Sequence, residues 1–361
     1  MKGVILVENS FVHPYMPNSV PENKKAMLDE LGINSVEDIY KSIIPDELLY
    51  KERLDIPEPI RSEYELKRHV MGILNRDITT EEYTSFLGAG CYKHQVPAIC
   101  DEINSRGEFL TAYCGDTYSD HGKMQAIFEY TSMMGELLDT DVVSYTTYDG
   151  GQAVASSLRM AVRAVREKGM AGKVILVPKT MNPEIYSQVV QYCRNVAEVR
   201  KIAYEPETGL MDLEELKEQL AKKNVAAVFF ENPTYLGNFE TRGEEIAKLA
   251  HDAGAYCVVQ TEVAALGIME SPVNQGADIV CGDIQPLGMH IQFGGGQAGF
   301  IACNQNMDLV EQFPTYMYGI TETEKEDTYG WGRAMNYRSS HGSRENAKEY
   351  FGTETGLWAI T

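Results

Sequence analysis

From about residue 125 onward the hydrophobic positions of the chain alternate between two periods. MQAIFEYTSMMGELL brings Met124, Ile127, Phe128, Met134 and Leu137 to one side at helical spacing, and DVVSYTT after it reads as a strand. GGQAVASSLRMAVRAVREKG predicts a long helix ending at Gly169. KVILVP is a continuous apolar run, the kind found in strands buried on both faces of a parallel sheet. A helix over 183–194, the strand AEVRKIAY, a helix over 212–223, the strand VAAVFF, a helix over 241–253 and the strands AYCVVQT and ADIVCGD follow. Strand–helix alternation with short connections predicts an α/β fold, a mostly parallel, doubly wound sheet with helices on both faces. Such sheets bind ligands beyond the carboxyl ends of their strands, so residues just after each strand are the first candidates for chemistry.

Upstream the pattern is different. Residues 10–75 are polar and punctuated by prolines at 14, 17, 21, 45, 57 and 59. EYELKRHVMGILNR places Leu66, Val70 and Ile73 at helical spacing, with Met71 and Leu74 widening the face. This predicts an N-terminal arm with short helices over 1–75, a large α/β domain over 76–310, and an incomplete C-terminal small domain beginning at 311. The last residues, GLWAIT, are expected to leave Leu357, Trp358 and Ile360 uncovered.

Composition narrows the partners. With 361 residues, 43% of them hydrophobic, the chain can build a large core in one or two domains. Its formal net charge of −21 repels nucleic acid and anionic membranes, so neither is expected as a partner. No stretch approaches the ~20 apolar residues that cross a bilayer. The apolar run before Glu8 is too short for a secretory leader, and a cytoplasmic location is expected. The seven cysteines (91, 100, 114, 193, 257, 281 and 303) are scattered and lack a CxxC pair. Free thiols in a reducing compartment fit them better than disulfides or a zinc site.

Several segments sit where chemistry is expected. TTYDGGQAVAS passes from a strand through two glycines into a helix. Backbone N–H groups at a helix start suit an anion such as a cofactor phosphate. A tight turn capped by Asp149 explains the same residues, and its carboxylate would repel a phosphate beside it. FFENPTYLG turns at Asn232-Pro233, and VVQTEVAALGI ends a strand with Gln260, Thr261 and Glu262. Glu262 could face a cationic cofactor nitrogen or simply cap the next turn. Tyr92, His94, Tyr113, Tyr118 and His121 lie among glycines within 85–122, as in a pocket lining. Finally, GDIQPLGMHIQFGGGQAGF follows the strand ADIVCGD, with Gln285 where a functional side chain is expected.

The order of these segments matches fold type I pyridoxal-phosphate enzymes, in which a lysine on the last of them forms the cofactor Schiff base. Here no lysine occurs between Lys248 and Lys325. FLGAGCYKHQVPA, EFLTAY, QAIFEYTSMMGEL, YDGGQA, NPTYLG and ADIVCGDIQPLG followed by FGGGQAGF together resemble subunit 1 of the two-subunit glycine decarboxylase, the P-protein of the glycine cleavage system. The resemblance runs from about residue 14 to the end. It implies a lysine-less subunit whose partner, subunit 2, carries pyridoxal 5'-phosphate on its lysine. The assembly, expected as a heterotetramer, would decarboxylate glycine and pass the aminomethyl group to the lipoyl arm of H-protein. The resemblance places Tyr113, His94, Tyr92 and His121 near the substrate. It makes Tyr148, Asp149, Gly150, Gly151, Asn232 and Gln285 the remnant of a cofactor site. One departure stands out: TAYCGDTYSDHG, with Cys114-Gly115-Asp116, replaces the usual continuation after the tyrosine that matches Tyr113. It leaves open a homologue acting on another small amino acid; a non-catalytic scaffold subunit is a third reading.

Overall fold

In the computed structural model, the described residues are 12–50, 52, 54–86, 90–109, 123–294, 297–334, 349 and 355–361. The chain divides into two compact units, Met1–Thr79 and Thr80–Thr361.

The first unit contains α1 (Pro21–Leu31), α2 (Val36–Ile43) and α3 (Glu63–Leu74). Local signals set their ends. Pro21 opens α1 and Gly32, at φ 67°, closes it. The Asp38 carboxylate accepts from the backbone N–H groups of Ser35 and Asn34 at the start of α2. None of the three helices has a buried residue.

The second unit holds the sheet. Before it come α4 (Ala98–Asn104) and α5 (Lys123–Leu138). The strands are β1 (Val142–Val143), β2 (Val174–Pro178), β3 (Glu198–Ile202), β4 (Val225–Asn232), β5 (Tyr256–Glu262), β6 (Ile279–Asp283) and β7 (Gly299–Cys303). Between them run α6 (Gly150–Glu167), α7 (Pro183–Cys193), α8 (Leu213–Leu220) and α9 (Gly243–Asp252). The sheet order is β1-β7-β6-β5-β4-β2-β3. The five strands β2 to β6 are parallel, and β7 and β1 join antiparallel at one edge. The α/β reading therefore holds. DVVSYTT is shorter as a strand than its pattern suggested: only Val142–Val143 form a ladder, and Thr147 makes a single bridge to Gly299. The chain then continues through α10 (Met307–Val310) to a hairpin of β8 (Met317–Glu322) and β9 (Tyr329–Ala334), and to α11 (Gly356–Ile360).

Strand alternation gives the sheet two apolar faces. One packs under α5, α8 and α9 and is built around Val228, Phe230, Val259 and Val280. The other packs under α6 and α7 and is built around Ala227, Phe229, Val258 and Ile279. The end of the chain is covered: Trp358 packs on the first core, and the Tyr145 hydroxyl lies against Gly356. Thr361 Oγ1 donates to Asn104 Oδ1 at 2.7 Å. The expectation that GLWAIT stands uncovered is thus corrected, because a small glycine lets the short helix close against a buried tyrosine.

Helix α6 is buried almost around its whole circumference, including Arg163 at 8% exposure. A buried guanidinium needs an anion. Glu349 supplies it, accepting from Arg163 Nη1 at 3.0 Å, Arg159 Nε at 3.3 Å and Ser156 Oγ at 2.8 Å. Glu349→Ala should destabilise the second unit by roughly 3–5 kcal/mol, because it strands the buried Arg163 charge. Thermal or denaturant unfolding of the variant checks this; an unchanged midpoint would show that the pair is dispensable.

Candidate functional site

The site is built at the carboxyl ends of β4, β5 and β6. Period-2 alternation puts Glu231, Gln260, Glu262 and Asp283 on the face that α6 covers. The ladder then sets Glu231 beside Gln260 and Glu262 beside Asp283. Three carboxylates thus gather where the apolar face ends.

Each carboxylate is occupied by backbone donors. Asp283 Oδ2 accepts from Gly150 N at 2.8 Å and its Oδ1 accepts from Gln285 N at 2.8 Å. Glu231 accepts from Asn182 N at 3.1 Å and Tyr235 N at 3.2 Å. Glu262 accepts from Ala264 N at 3.3 Å and caps the following turn, the simpler of the two readings offered for it. Burial pushes the Asp283 carboxyl up to about 7 despite its backbone donors, with the nearby Asp149 charge adding to the shift. Burial likewise pushes Glu231 up to about 7. Glu262 is also raised by burial, with His94 nearby pulling it the other way.

The start of α6 shows what the two glycines accommodate. Asp149 Oδ1 accepts from Gln152 N at 2.6 Å, as an N-cap does. A Cβ on Gly150 would stand 3.1 Å from Asp283 Cβ, and one on Gly151 would meet the Gln188 Oε1 at 2.0 Å. The glycines make room for Asp283 and Gln188. Tyr148 is partly exposed, and its N–H donates to Gln152 Oε1 at 2.8 Å. Two carboxylates and a glutamine therefore fill the place where a cofactor phosphate would need free N–H groups and positive potential. The residues present do not fit pyridoxal phosphate at this end of the crevice.

The two candidate amides are also engaged. Asn232 Oδ1 accepts from Glu240 N at 3.2 Å, and its Nδ2 donates to Glu240 O at 3.3 Å. Gln285 is fully buried. Its Oε1 accepts from Tyr92 N at 3.0 Å, while Nε2 donates to Tyr92 O at 3.0 Å and to Met289 O at 3.0 Å. Each amide thus grips both backbone groups of one residue in a loop. Cofactor binding through Gln285 would require breaking these bonds, because both Nε2 protons are engaged.

Tyr92 and His94 come together above this edge. His94 Nε2 donates to Met289 O at 2.8 Å. Burial raises the Tyr92 phenol, with Glu262, Glu231 and Asp283 contributing in the same direction, so the tyrosine lies in the field of all three carboxylates. Tyr113, Tyr118 and His121, together with the Cys114–Asp116 departure, lie outside the described residues. Among the described residues no group of three histidine, cysteine or acidic side chains could hold a metal ion. No helix among them is long and apolar enough to cross a membrane. Sequence reasoning passed over Asp283 and Glu231. Both are acidic residues at the very end of an apolar strand, and that pattern was the signal available.

The sheet topology and this crevice define the class: a fold type I pyridoxal-phosphate enzyme scaffold. A 14% identical sphingosine-1-phosphate lyase from Burkholderia pseudomallei, at a TM-score of 0.53 over 88% of this chain and 72% of its own, shares the fold. The glycine cleavage system P-protein family matches residues 13–361, and the chain belongs to that family. It is 34% identical to the probable glycine dehydrogenase (decarboxylating) subunit 1 of Staphylothermus marinus, over 96% of this chain and 74% of that protein. The corresponding subunit 1 of Carboxydothermus hydrogenoformans is 36% identical, over 96% of this chain and 75% of its own length. A crystal structure of a glycine decarboxylase P-protein of the glycine cleavage system, in inhibitor-bound form, superposes with a TM-score of 0.77 at 30% identity. It covers 97% of this chain and 75% of that one.

The raised carboxylates carry a pH consequence. Asp283 and Glu231 sit near 7 in the folded chain, against about 4 in an unfolded one. The folded state therefore holds more protons through that window, and stability falls as pH rises from about 4 to about 7. Thermal unfolding followed from pH 4 to pH 8 should show this decline, and Asp283→Asn should flatten it. Parallel curves for parent and variant would contradict the assignment.

Proposed function

We propose that this chain is the lysine-less subunit 1 of a pyridoxal-phosphate-dependent glycine decarboxylase. In this reading the cofactor is carried by a lysine-bearing second subunit, glycine is the substrate, and the aminomethyl group passes to lipoylated H-protein. The observation that carries it is Gln285. It stands on the segment after β6 where the Schiff-base lysine of this scaffold would be, in a span from 249 to 324 that has no lysine. Its amide is taken up by Tyr92 and Met289. Family membership and the subunit 1 names of the relatives supply the rest: a chain of this kind works with a second chain.

The chain's own contribution is to complete the partner's site. Tyr92 and His94, with Tyr113 and His121, would border the cofactor pocket of the second subunit. Phenol and imidazole groups can orient a small zwitterion and move protons near neutral pH. The buried carboxylates beneath them hold α6, β6 and the Tyr92 loop in register. Asp149, Gly150, Gly151 and Asn232 serve this chain's own fold, as the capping and loop bonds described above indicate.

Three outcomes test the proposal. Glycine–bicarbonate exchange should require both purified subunits, and this chain alone should show none. Incubation of the chain alone with pyridoxal phosphate, followed by borohydride reduction, should leave only sparse labelling of surface lysines. Stoichiometric phosphopyridoxylation of one buried lysine would overturn the proposal. In the reconstituted pair, Tyr113→Phe should lower the rate roughly tenfold or more, with assembly unchanged. A parental rate would remove Tyr113 from the shared site.

A further inference from the structure

Gln285 does more than lack the chemistry of a lysine. We propose that it is a positioning residue: its side-chain amide fixes the Gly90–His94 loop so that Tyr92 and His94 serve the active site shared with the second subunit. The inference rests on the function proposed above.

The geometry is specific. The carboxamide meets the backbone of Tyr92 on two sides at once, accepting from its N–H and donating to its carbonyl, each at 3.0 Å. The remaining Nε2 proton goes to Met289 O, also at 3.0 Å. That carbonyl in turn accepts from His94 Nε2 at 2.8 Å. One amide thereby fixes the backbone of Tyr92 and, through a shared carbonyl, the ring of His94. Only a carboxamide offers an acceptor and two donors at this length. A lysine has no acceptor for the Tyr92 N–H, and a glutamate has no donor for either carbonyl.

The base of the clasp is itself fixed. Gln285 N donates to Asp283 Oδ1, Pro286 follows, and Met289 N donates to Gln285 O at 3.1 Å. Further links join the same two segments: Cys91 Sγ donates to Ile291 O at 3.3 Å, and Gln297 Nε2 donates to Gly90 O at 3.1 Å. The segments lie about two hundred residues apart in sequence, so no local turn rule accounts for them. The loop they hold is neither helix nor strand, and Tyr92 is 38% exposed. A fully buried polar side chain pays its desolvation only against well-made hydrogen bonds. Here those bonds hold a loop that buries little core of its own and carries a phenol and an imidazole. That is what a positioning role requires, and it is more than core stability calls for.

The test uses the assembled pair of subunits and Gln285→Met, which keeps length and apolar bulk but makes no hydrogen bond. Hydrogen exchange at the Tyr92 amide should accelerate tenfold or more, and kcat should fall at least tenfold with KM changed less. A double-mutant cycle separates positioning from bulk destabilisation. In a Tyr92→Phe/His94→Gln background, Gln285→Met should cost no further rate. Where Gln285→Met fails to assemble, Gln285→Asn carries the same measurements, drawing the amide back by one methylene and giving a smaller loss in the same direction. A protected Tyr92 amide, or an additive loss in the cycle, would overturn the clasp. If Tyr92→Phe/His94→Gln instead works at the parental rate while the amide opens as expected, the clasp is intact. The shared-site reading on which its role depends then falls.

Discussion

The carboxylate of Asp283 ties the crevice together. It sits at the end of β6, half-buried, and accepts from the first N–H of α6 and from the N–H of Gln285. A buried carboxylate is tolerated only where such donors converge on it. Once it is there, the start of α6 already faces an anion, and the segment after β6 is pinned at a defined angle. Gly150 follows from the same constraint, because a Cβ would press on the Asp283 side chain. Gln285 follows as well, because its backbone is set by Asp283 before its amide reaches Tyr92. The place where a cofactor would lie is therefore held by the protein's own charges and amides.

Under the proposed function, this arrangement gives a physical account of an enzyme divided between two chains. A scaffold that has lost its lysine but kept a phosphate-binding helix start would compete with its partner for cofactor. With Asp149 and Asp283 at that helix, its first N–H groups are already taken, and a phosphate would meet the Asp149 carboxylate beside it. The side chains that remain near the surface, Tyr92 and His94, are of the kind that orients substrate. A division of labour between two similar chains then needs no large change in fold, only different side chains at the carboxyl ends of the same strands.

Much of this was legible before the structure. The apolar runs of β2 and β4 and the long pattern of α6 specify a buried parallel sheet, and they form where the pattern puts them. The lysine-free span and Gln285 were plain. What could not be read were bonds between distant segments. Nothing local in CYKH points to GDIQ, so the clasp emerges only when the fold brings the two together. The role of the YDGG turn was ambiguous for a physical reason: a helix start offers the same donors to a phosphate and to a carboxylate. In the folded chain Asp283, 133 residues away, takes the first of those donors. The cover over GLWAIT depended likewise on Tyr145, far back in the chain.

The central claim is that side chains of this chain fill the crevice, so the missing lysine is not the only barrier to cofactor. Restoring that lysine tests it most directly. Purified Gln285→Lys protein is dialysed with pyridoxal phosphate, and bound cofactor is counted by absorbance and by mass after borohydride reduction. The account predicts no stoichiometric adduct on the introduced lysine, because Asp149 and Asp283 still occupy the start of α6. One cofactor per chain, attached at position 285, would show that the crevice is open and that the lysine alone had been missing.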